Sequence, residues 1–468
     1  MSNPWPNLLH QGRRKDAMKG SKAPVDAKQA RTETERDYDR ILFSTPVRRL
    51  ADKTQVFPLD PNDSVRTRLT HSHEVSNLAR SVGVNLAFNH SVGEPALNYQ
   101  RNVPAMLAAI GLAHDLGNPP FGHKGESAVR DWFMNHQDAI APLPDKMRKD
   151  FLLFEGNAQT FRLLTKLQLL NDNFGLNLTY GTLAALLKYT VSASEANSNS
   201  EFAGAKKNGF FESEKHIVEE VWKATELKPG IRHPFAFIME ACDDIAYSVL
   251  DTEDAVKKGL TSFYDVMAYI RHGAKEDVLA KTVCDRSTKT NQEYKATTGL
   301  SPWELNDISM QMFRVYAISE MIAAISETFL TNLQKILGGE LKGDLIANSP
   351  ANILCGALKA FDLKHAYRHR SVLKIEVTGY QVIQKLMDRL WMAITTRDDP
   401  AKLGSKRSQP IANYVYNRIS ENYRRIAEDE ANTMPLRYRE LQLMTDMISG
   451  MTDGFAVSLE TELRDYAN

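Results

Sequence analysis

The sequence predicts an all-α protein with at most a small β element. Three observations carry that expectation. Apolar residues recur at the three-to-four-residue spacing of a helix along most of the chain. Strand-like alternation is scarce, and Pro and Gly fall where helices would begin and end.

Taken in order, the first 30 residues are polar, mildly basic and broken by Pro and Gly. They are expected to form an irregular arm anchored by Trp5, Leu8 and Leu9, with regular structure starting near Arg31. Val75, Leu78, Ala79, Val82 and Leu86 share one helical stripe. Pro104 is expected to open a second, strongly apolar helix through Leu112, closed by Gly117, Asn118, Pro119 and Pro120. Further helices are expected over about 157–170, 213–226, 234–258, 303–337, 376–394, 410–430 and 436–449. The best short strand candidates are Thr54–Leu59 and Ser371–Val377. Less regular linkers appear at 138–149, 192–208, 285–302 and 396–410, and none separates two self-sufficient halves. The expected organisation is an arm over 1–30, a helical core over 31–285 and a C-terminal helical extension over 286–468.

Composition narrows the functional classes. Of 468 residues, 43% are apolar and 25% charged, ordinary for a soluble globular protein. Lys+Arg and Asp+Glu both count 58, which argues against a bulk basic coat for nucleic acid and leaves room only for a local groove. Cys242, Cys284 and Cys355 are far apart and odd in number, so neither a zinc knuckle nor a disulfide scaffold is expected, and free thiols fit a reducing cytoplasm. The N-terminus has no secretory pattern, and the longest apolar stretch, Val103–Ala113, is about half of a membrane span. A cytoplasmic protein with no membrane partner is expected.

The chemistry concentrates in His71, His114 and Asp115, with an acidic pair at Asp243 and Asp244. His71 lies four residues before Val75 and shares the inward face of that helix. His114 and Asp115 end a helix too apolar to lie on the surface, and a carboxylate buried there needs a partner. A divalent cation satisfies imidazoles and carboxylates together; Mn²⁺ or Mg²⁺ is expected, and Fe²⁺, Zn²⁺ or Co²⁺ is compatible. Composition alone offers His73 beside His71 and does not choose between Asp243 and Asp244.

The surrounding motifs are distinctive. His114-Asp115-Leu116-Gly117-Asn118-Pro119-Pro120-Phe121-Gly122-His123-Lys124-Gly125-Glu126 resembles the HD-domain deoxyguanosine triphosphate triphosphohydrolases. So do Arg66–Val75, Asp243-Asp244-Ile245-Ala246-Tyr247-Ser248 and Arg48-Arg49-Leu50 with Lys53–Phe57. Phe154–Gln159 and Gly450-Met451-Thr452-Asp453 complete the set, in the same order and spacing over nearly the whole chain.

The resemblance implies roles residue by residue. It selects His71, His114, Asp115 and Asp243 as metal ligands, leaving His73 and Asp244 outside the ligand set. It implies His123 as the catalytic acid, with Glu126 one helical turn on to orient the imidazole. Lys188, Tyr189 and Lys207 match phosphate contacts; Gln55, with Val56 beside it, and Arg68 match sugar and phosphate contacts. Tyr247, on the face of Asp243, matches a tyrosine under the deoxyribose. Glu376 is a candidate acceptor for the guanine base, and Arg424 or Arg425 for its O6 or a phosphate, in this or a neighbouring subunit.

The implied reaction converts dGTP, or several dNTPs, to deoxynucleoside and inorganic triphosphate. The C-terminal extension would complete the pocket and contribute contacts in a tetramer or hexamer. A nucleotide or single-stranded DNA is the effector the resemblance admits. The competing readings are another HD-type nucleotidase or phosphodiesterase, and a regulatory oligomer that binds single-stranded DNA.

Overall fold

The computed structural model describes residues 3–20, 30–57, 65–168, 172–296 and 299–466. It is a helical protein, as the periodicity predicts. Among the described residues the regular β structure is one parallel pair, Val191–Ser192 with Asn208–Phe210.

The central unit is a helical hairpin of Arg68–Asn89 and Tyr99–Ala113. The two helices run antiparallel in close contact because Gly83 faces the Pro104 backbone and Gly111 faces that of Ser76. Ser76 also donates its hydroxyl to the Ala108 carbonyl at 2.8 Å. Continuing that register toward the start of the first helix brings His71 level with residues 114–116. Pairing glycines in the hairpin therefore determines which histidines meet.

The chain builds two large apolar cores. One gathers Val75, Val82, Leu107 and Ile110 with Ile238, Ile245 and Val249 of the helix Pro234–Lys257. Phe313 and Ile325 of Pro302–Thr331 and Leu358 of Asn352–Asp362 complete it. The other joins Val129 and Trp132 of Gly122–Asn135 to Ile383, Leu386 and Leu390 of Arg370–Thr395 and to Leu441 and Ile448 of Leu436–Ser449. Tyr99–Ala113 supplies Leu107 and Ile110 to the first core and Leu112 and Ala113 to the second. Its C-terminal end, carrying His114, lies at the seam. Segments on both sides of residue 285 contribute to both cores.

The Trp5–Leu8 and Arg14–Lys19 helices occupy part of the expected irregular arm, and Trp5, Leu8 and Leu9 are buried. The helix Pro302–Thr331 is long and apolar enough to pass the length and composition test for a membrane span. Charged residues such as Arg314 and Glu320 break its apolar run in the sequence. Its Met310, Phe313, Ala317, Met321 and Ile325 face the first core.

Several expected boundaries move. Ser371–Val377 is not a strand; it opens the helix Arg370–Thr395, whose buried Val372, Gly379, Val382, Ile383 and Leu386 follow helical spacing. Packing outweighs the β preference of its branched residues. Of Thr54–Leu59, Thr54 makes an isolated bridge with Thr67, while residues 58 and 59 lie outside the described residues. The 285–302 linker is largely helical, because Val278–Lys295 buries Val283, Cys284, Ser287 and Asn291 on one face. Pro104 lies inside its helix, which starts a turn earlier at Tyr99. The stretch 410–430 divides into Pro410–Arg418 and Glu421–Glu428.

Candidate metal and nucleotide site

At the seam, three elements converge. His71 lies in the first turn of Arg68–Asn89, behind a Thr67 N-cap whose N–H donates to Thr70 Oγ1 at 3.0 Å. His114 and Asp115 follow the end of Tyr99–Ala113. Asp243 comes from the middle of Pro234–Lys257, which starts at Pro234 behind the His233 N-cap.

The side chains form a tight cluster. His71 Nε2 lies 3.1 Å from Asp243 Oδ1. His114 Nε2 lies 3.4 Å from the same oxygen and 3.6 Å from Asp115 Oδ2. His114 Nδ1–H donates to the Gly111 carbonyl at 2.7 Å, which turns Nε2 toward the carboxylates. Both His114 Nε2 and His71 Nδ1 are buried without a hydrogen-bond partner. A polar atom left unpaired in a buried acidic cluster is the expected mark of a cation site. His71, His114 and Asp115 present ligand atoms close enough together for one ion. Two imidazoles and two carboxylates suit a divalent first-row metal or Mg²⁺. His73 is exposed and is not among the residues lining the site. Asp244 turns to Lys359 at 2.7 Å.

The local field favours ionised carboxylates. Burial works against Asp115, but Arg68 and His114 outweigh it and hold its pKa down to about 2. Burial likewise opposes Asp243, yet His114, His71 and Lys188 keep it well below the carboxylate range. Burial pulls His114 down, while Asp115 and Asp243 lift it to about 9. The cluster therefore attracts positive charge, as a proton or a metal.

Above the cluster opens a cavity of about 700 Å³. Its lining brings together Gln55, Val56, Arg68, His123, Glu126, Lys188, Tyr189, Lys207, Tyr247 and Glu376, each of them singled out in the sequence. His71 lies beneath the floor, formed by His114, Asp115 and Asp243. The His123 side chain is 84% exposed, and its Nδ1 lies 3.4 Å from Glu126 Oε2. Glu126 is buried and accepts from the Gly156 N–H at 2.9 Å. Burial opposes its ionisation, but His123 and that N–H lower its pKa overall.

Cations ring the same space. Arg68 pairs with Asp115. Lys188 Nζ lies 3.6 Å from Asp243 Oδ2 and 3.8 Å from Glu240 Oε1. Lys207 sits over the Tyr189 ring and 3.0 Å from Glu155 Oε2. Thr190, after Lys188-Tyr189, donates its N–H to Gly204 and its hydroxyl to Gly230, each at 2.8 Å, fixing that loop. Gln55 Oε1 is buried without a partner. Tyr247 lies 5.8 Å from Tyr367, whose hydroxyl donates to Asp251 at 2.6 Å.

Sequence reasoning passed over Glu155, Lys359 and Tyr367 as lining residues. Glu155 lies inside one of the motifs named above; Lys359 and Tyr367 carry no signal in the sequence. Arg424 and Arg425 do not line the cavity within this chain. Arg424 instead reaches Asn417 at 3.1 Å, and Arg425 pairs with Glu421 at 3.3 Å.

Known proteins resemble this chain over most of its length. The HD domain family matches residues 68–165, the stretch that carries His71, His114, Asp115, His123 and Glu126. A deoxyguanosinetriphosphate triphosphohydrolase-like protein of Listeria monocytogenes is 34% identical over 98% of this chain and 99% of its own length. A like-named protein of Synechocystis is 32% identical over 93% of this chain and 94% of its own. The deoxyguanosinetriphosphate triphosphohydrolase of Serratia proteamaculans is 30% identical over 90% and 92%.

Proposed function

The chain belongs to the family of HD-domain deoxyguanosinetriphosphate triphosphohydrolases and triphosphohydrolase-like proteins, and from that premise we propose that it hydrolyses dGTP, and other dNTPs to a lesser extent, to deoxynucleoside and inorganic triphosphate with a divalent metal. One observation carries the reading. His114 Nε2, which has no hydrogen-bond partner, and the Asp115 and Asp243 carboxylates form the floor of a cavity whose walls hold Arg68, Lys188, Lys207 and an exposed His123 backed by Glu126.

His71, His114, Asp115 and Asp243 would hold the metal, with Mn²⁺ and Mg²⁺ the first to test. When bound, a divalent cation supplies electrophilic activation of the α-phosphate and of a water. Arg68, Lys188, Tyr189 and Lys207 bind and orient the triphosphate, with Lys207 exchanging Glu155 for phosphate oxygen. The water oxygen bonds to the α-phosphorus as its bond to the 5′-oxygen breaks. His123 delivers a proton to that leaving oxygen, and Glu126 holds the imidazole toward it. Gln55 takes the 3′-hydroxyl, and Val56 and Tyr247 leave little room for a 2′-hydroxyl. Glu376 accepts from the guanine N–H groups.

The test is to incubate the protein with each dNTP and with GTP, with Mn²⁺, Mg²⁺ or chelator, and to separate the products. Deoxyguanosine with triphosphate is expected, lost with chelator and in His114→Ala. A monophosphate or stepwise phosphate release would overturn the proposed bond cleavage.

A further inference from the structure

The C-terminal motif Gly450-Met451-Thr452-Asp453 lies far in sequence from the metal cluster and has no part in the chemistry above. Its aspartate nevertheless reaches two site loops at once. Asp453 is 1% exposed. Its Oδ1 accepts from the Phe121 N–H at 3.0 Å, in a buried contact two residues before His123. Its Oδ2 accepts from the Thr54 N–H at 3.1 Å and from the Thr54 hydroxyl, next to Gln55.

The neighbouring Lys53 reinforces the same junction. Its ammonium donates at 2.7 Å to the Asn118 carbonyl in the His-Asp loop and at 2.7 Å to the Ser449 carbonyl at the end of the Leu436–Ser449 helix. Phe121 adopts a left-handed backbone (φ 61°) and is followed by Gly122 at φ 58°. A non-glycine residue holds that conformation only where its surroundings determine it. The Asp453 carboxylate is the acceptor that fixes the Phe121 N–H in this turn.

We infer that Asp453 is a positioning residue that couples the sugar-binding segment at Gln55 to the acid-bearing segment at His123. One rigid carboxylate holds both, so the 3′-hydroxyl contact and the proton donor to the 5′-oxygen keep a fixed separation. The inference rests on the reaction proposed above. A displacement of about 1 Å at such a site is worth about 100-fold in rate.

The test compares wild type with Asp453→Ala, Asp453→Asn and Thr54→Ala. Turnover of dGTP is measured beside 2′,3′-dideoxyguanosine triphosphate, with Mn²⁺ affinity and amide exchange followed separately. In Asp453→Ala, kcat/KM for dGTP is expected to fall about 100-fold. The preference for dGTP over the dideoxy analogue should collapse, while Mn²⁺ affinity stays near wild type. Amide exchange should quicken in the peptides carrying Thr54 and Phe121 and not across the molecule. Thr54→Ala, which removes the hydroxyl bond and leaves the Thr54 N–H on Asp453, should lower the sugar preference with a smaller loss of kcat, and Asp453→Asn should fall between. Activity lost in step with the folded fraction at unchanged sugar preference would overturn the inference, as would unchanged exchange at both segments. If wild type splits no dNTP, the proposed reaction fails; the exchange measurement, which needs no substrate, still decides whether Asp453 couples the two segments.

Discussion

At the scale of single residues, the site depends on groups that leave one atom free. His114 anchors Nδ1 on the Gly111 carbonyl and presents Nε2; Glu126 anchors one oxygen on the Gly156 N–H and presents the other to His123. The second arrangement gives a specific expectation for Glu126→Gln. The amide oxygen can keep the Gly156 bond, but its NH₂ group then faces His123 Nδ1 and requires that nitrogen to be an acceptor. The doubly protonated imidazole that the proposed acid role requires is disfavoured. We expect kcat to fall about 10- to 100-fold with KM little changed, since in the proposed reaction Glu126 acts through His123; steady-state kinetics with dGTP would check this. A large rise in KM instead would place Glu126 in substrate binding. These residues were legible because motif spacing carries them: the two members of each pair, His114–Asp115 and His123–Glu126, stand one and three positions apart. Asp243 was not separable from Asp244 by composition, since both are carboxylates on one helix. The structure divides them by partner, histidines for Asp243 and Lys359 for Asp244, and a partner 115 residues away leaves no local trace.

At the scale of elements, the sequence reading succeeded where a helix is long and one-sided and faltered where packing overrules local preference. Pro234–Lys257 and Leu436–Ser449 lie within a residue of their expected limits. Ser371–Val377 reads as a strand because Val372, Ile375 and Val377 are branched, yet it is helical because its buried stripe continues through Gly379 and Ile383 onto Gly122–Asn135. Gly379 is the contact point: a Cβ there would fall within the van der Waals envelope of the Phe121 ring. Tyr380 next to it donates its hydroxyl to Asp131 at 2.9 Å, fixing the same face. Gly379→Ala should therefore cost about 1–3 kcal/mol through overpacking, seen as a lower urea midpoint. Because the helix carries Glu376 and the ring belongs to the loop before His123, preference for dGTP over dATP should fall with it. Lost stability at unchanged base preference would separate Glu376 from base recognition.

At the scale of the whole molecule, the candidate site lies at the seam of the two cores, and the N-terminal segment joins elements of both. Trp5 stacks on Phe235 with centroids 5.5 Å apart, and the His10 and Gly12 carbonyls accept from the Gly181 and Tyr180 N–H groups. His233 joins this segment to the long Pro234–Lys257 helix. Its Nδ1 accepts from the Phe235 N–H at 3.1 Å and its Nε2 donates to the Leu8 carbonyl at 3.2 Å. Only the neutral imidazole can do both. Burial, against the Leu8 carbonyl, depresses its pKa from 6.5 to about 4. Between those values the unfolded chain binds a proton that the folded chain refuses, so stability rises with pH in that window. The contribution is complete above about pH 6.5 and is lost as pH falls toward 4, amounting to about 3 kcal/mol over the window. Buried carboxyls titrate in the same range, so the informative quantity is a difference. In His233→Asn the side-chain oxygen can still cap Phe235, but nothing titrates. Denaturant unfolding from pH 7 to pH 4.5 should show the wild type losing more stability than the variant, by about one proton's worth of slope. Parallel pH profiles would mean that His233 is protonated in the folded chain, and that the Leu8 contact does not depend on its neutral form.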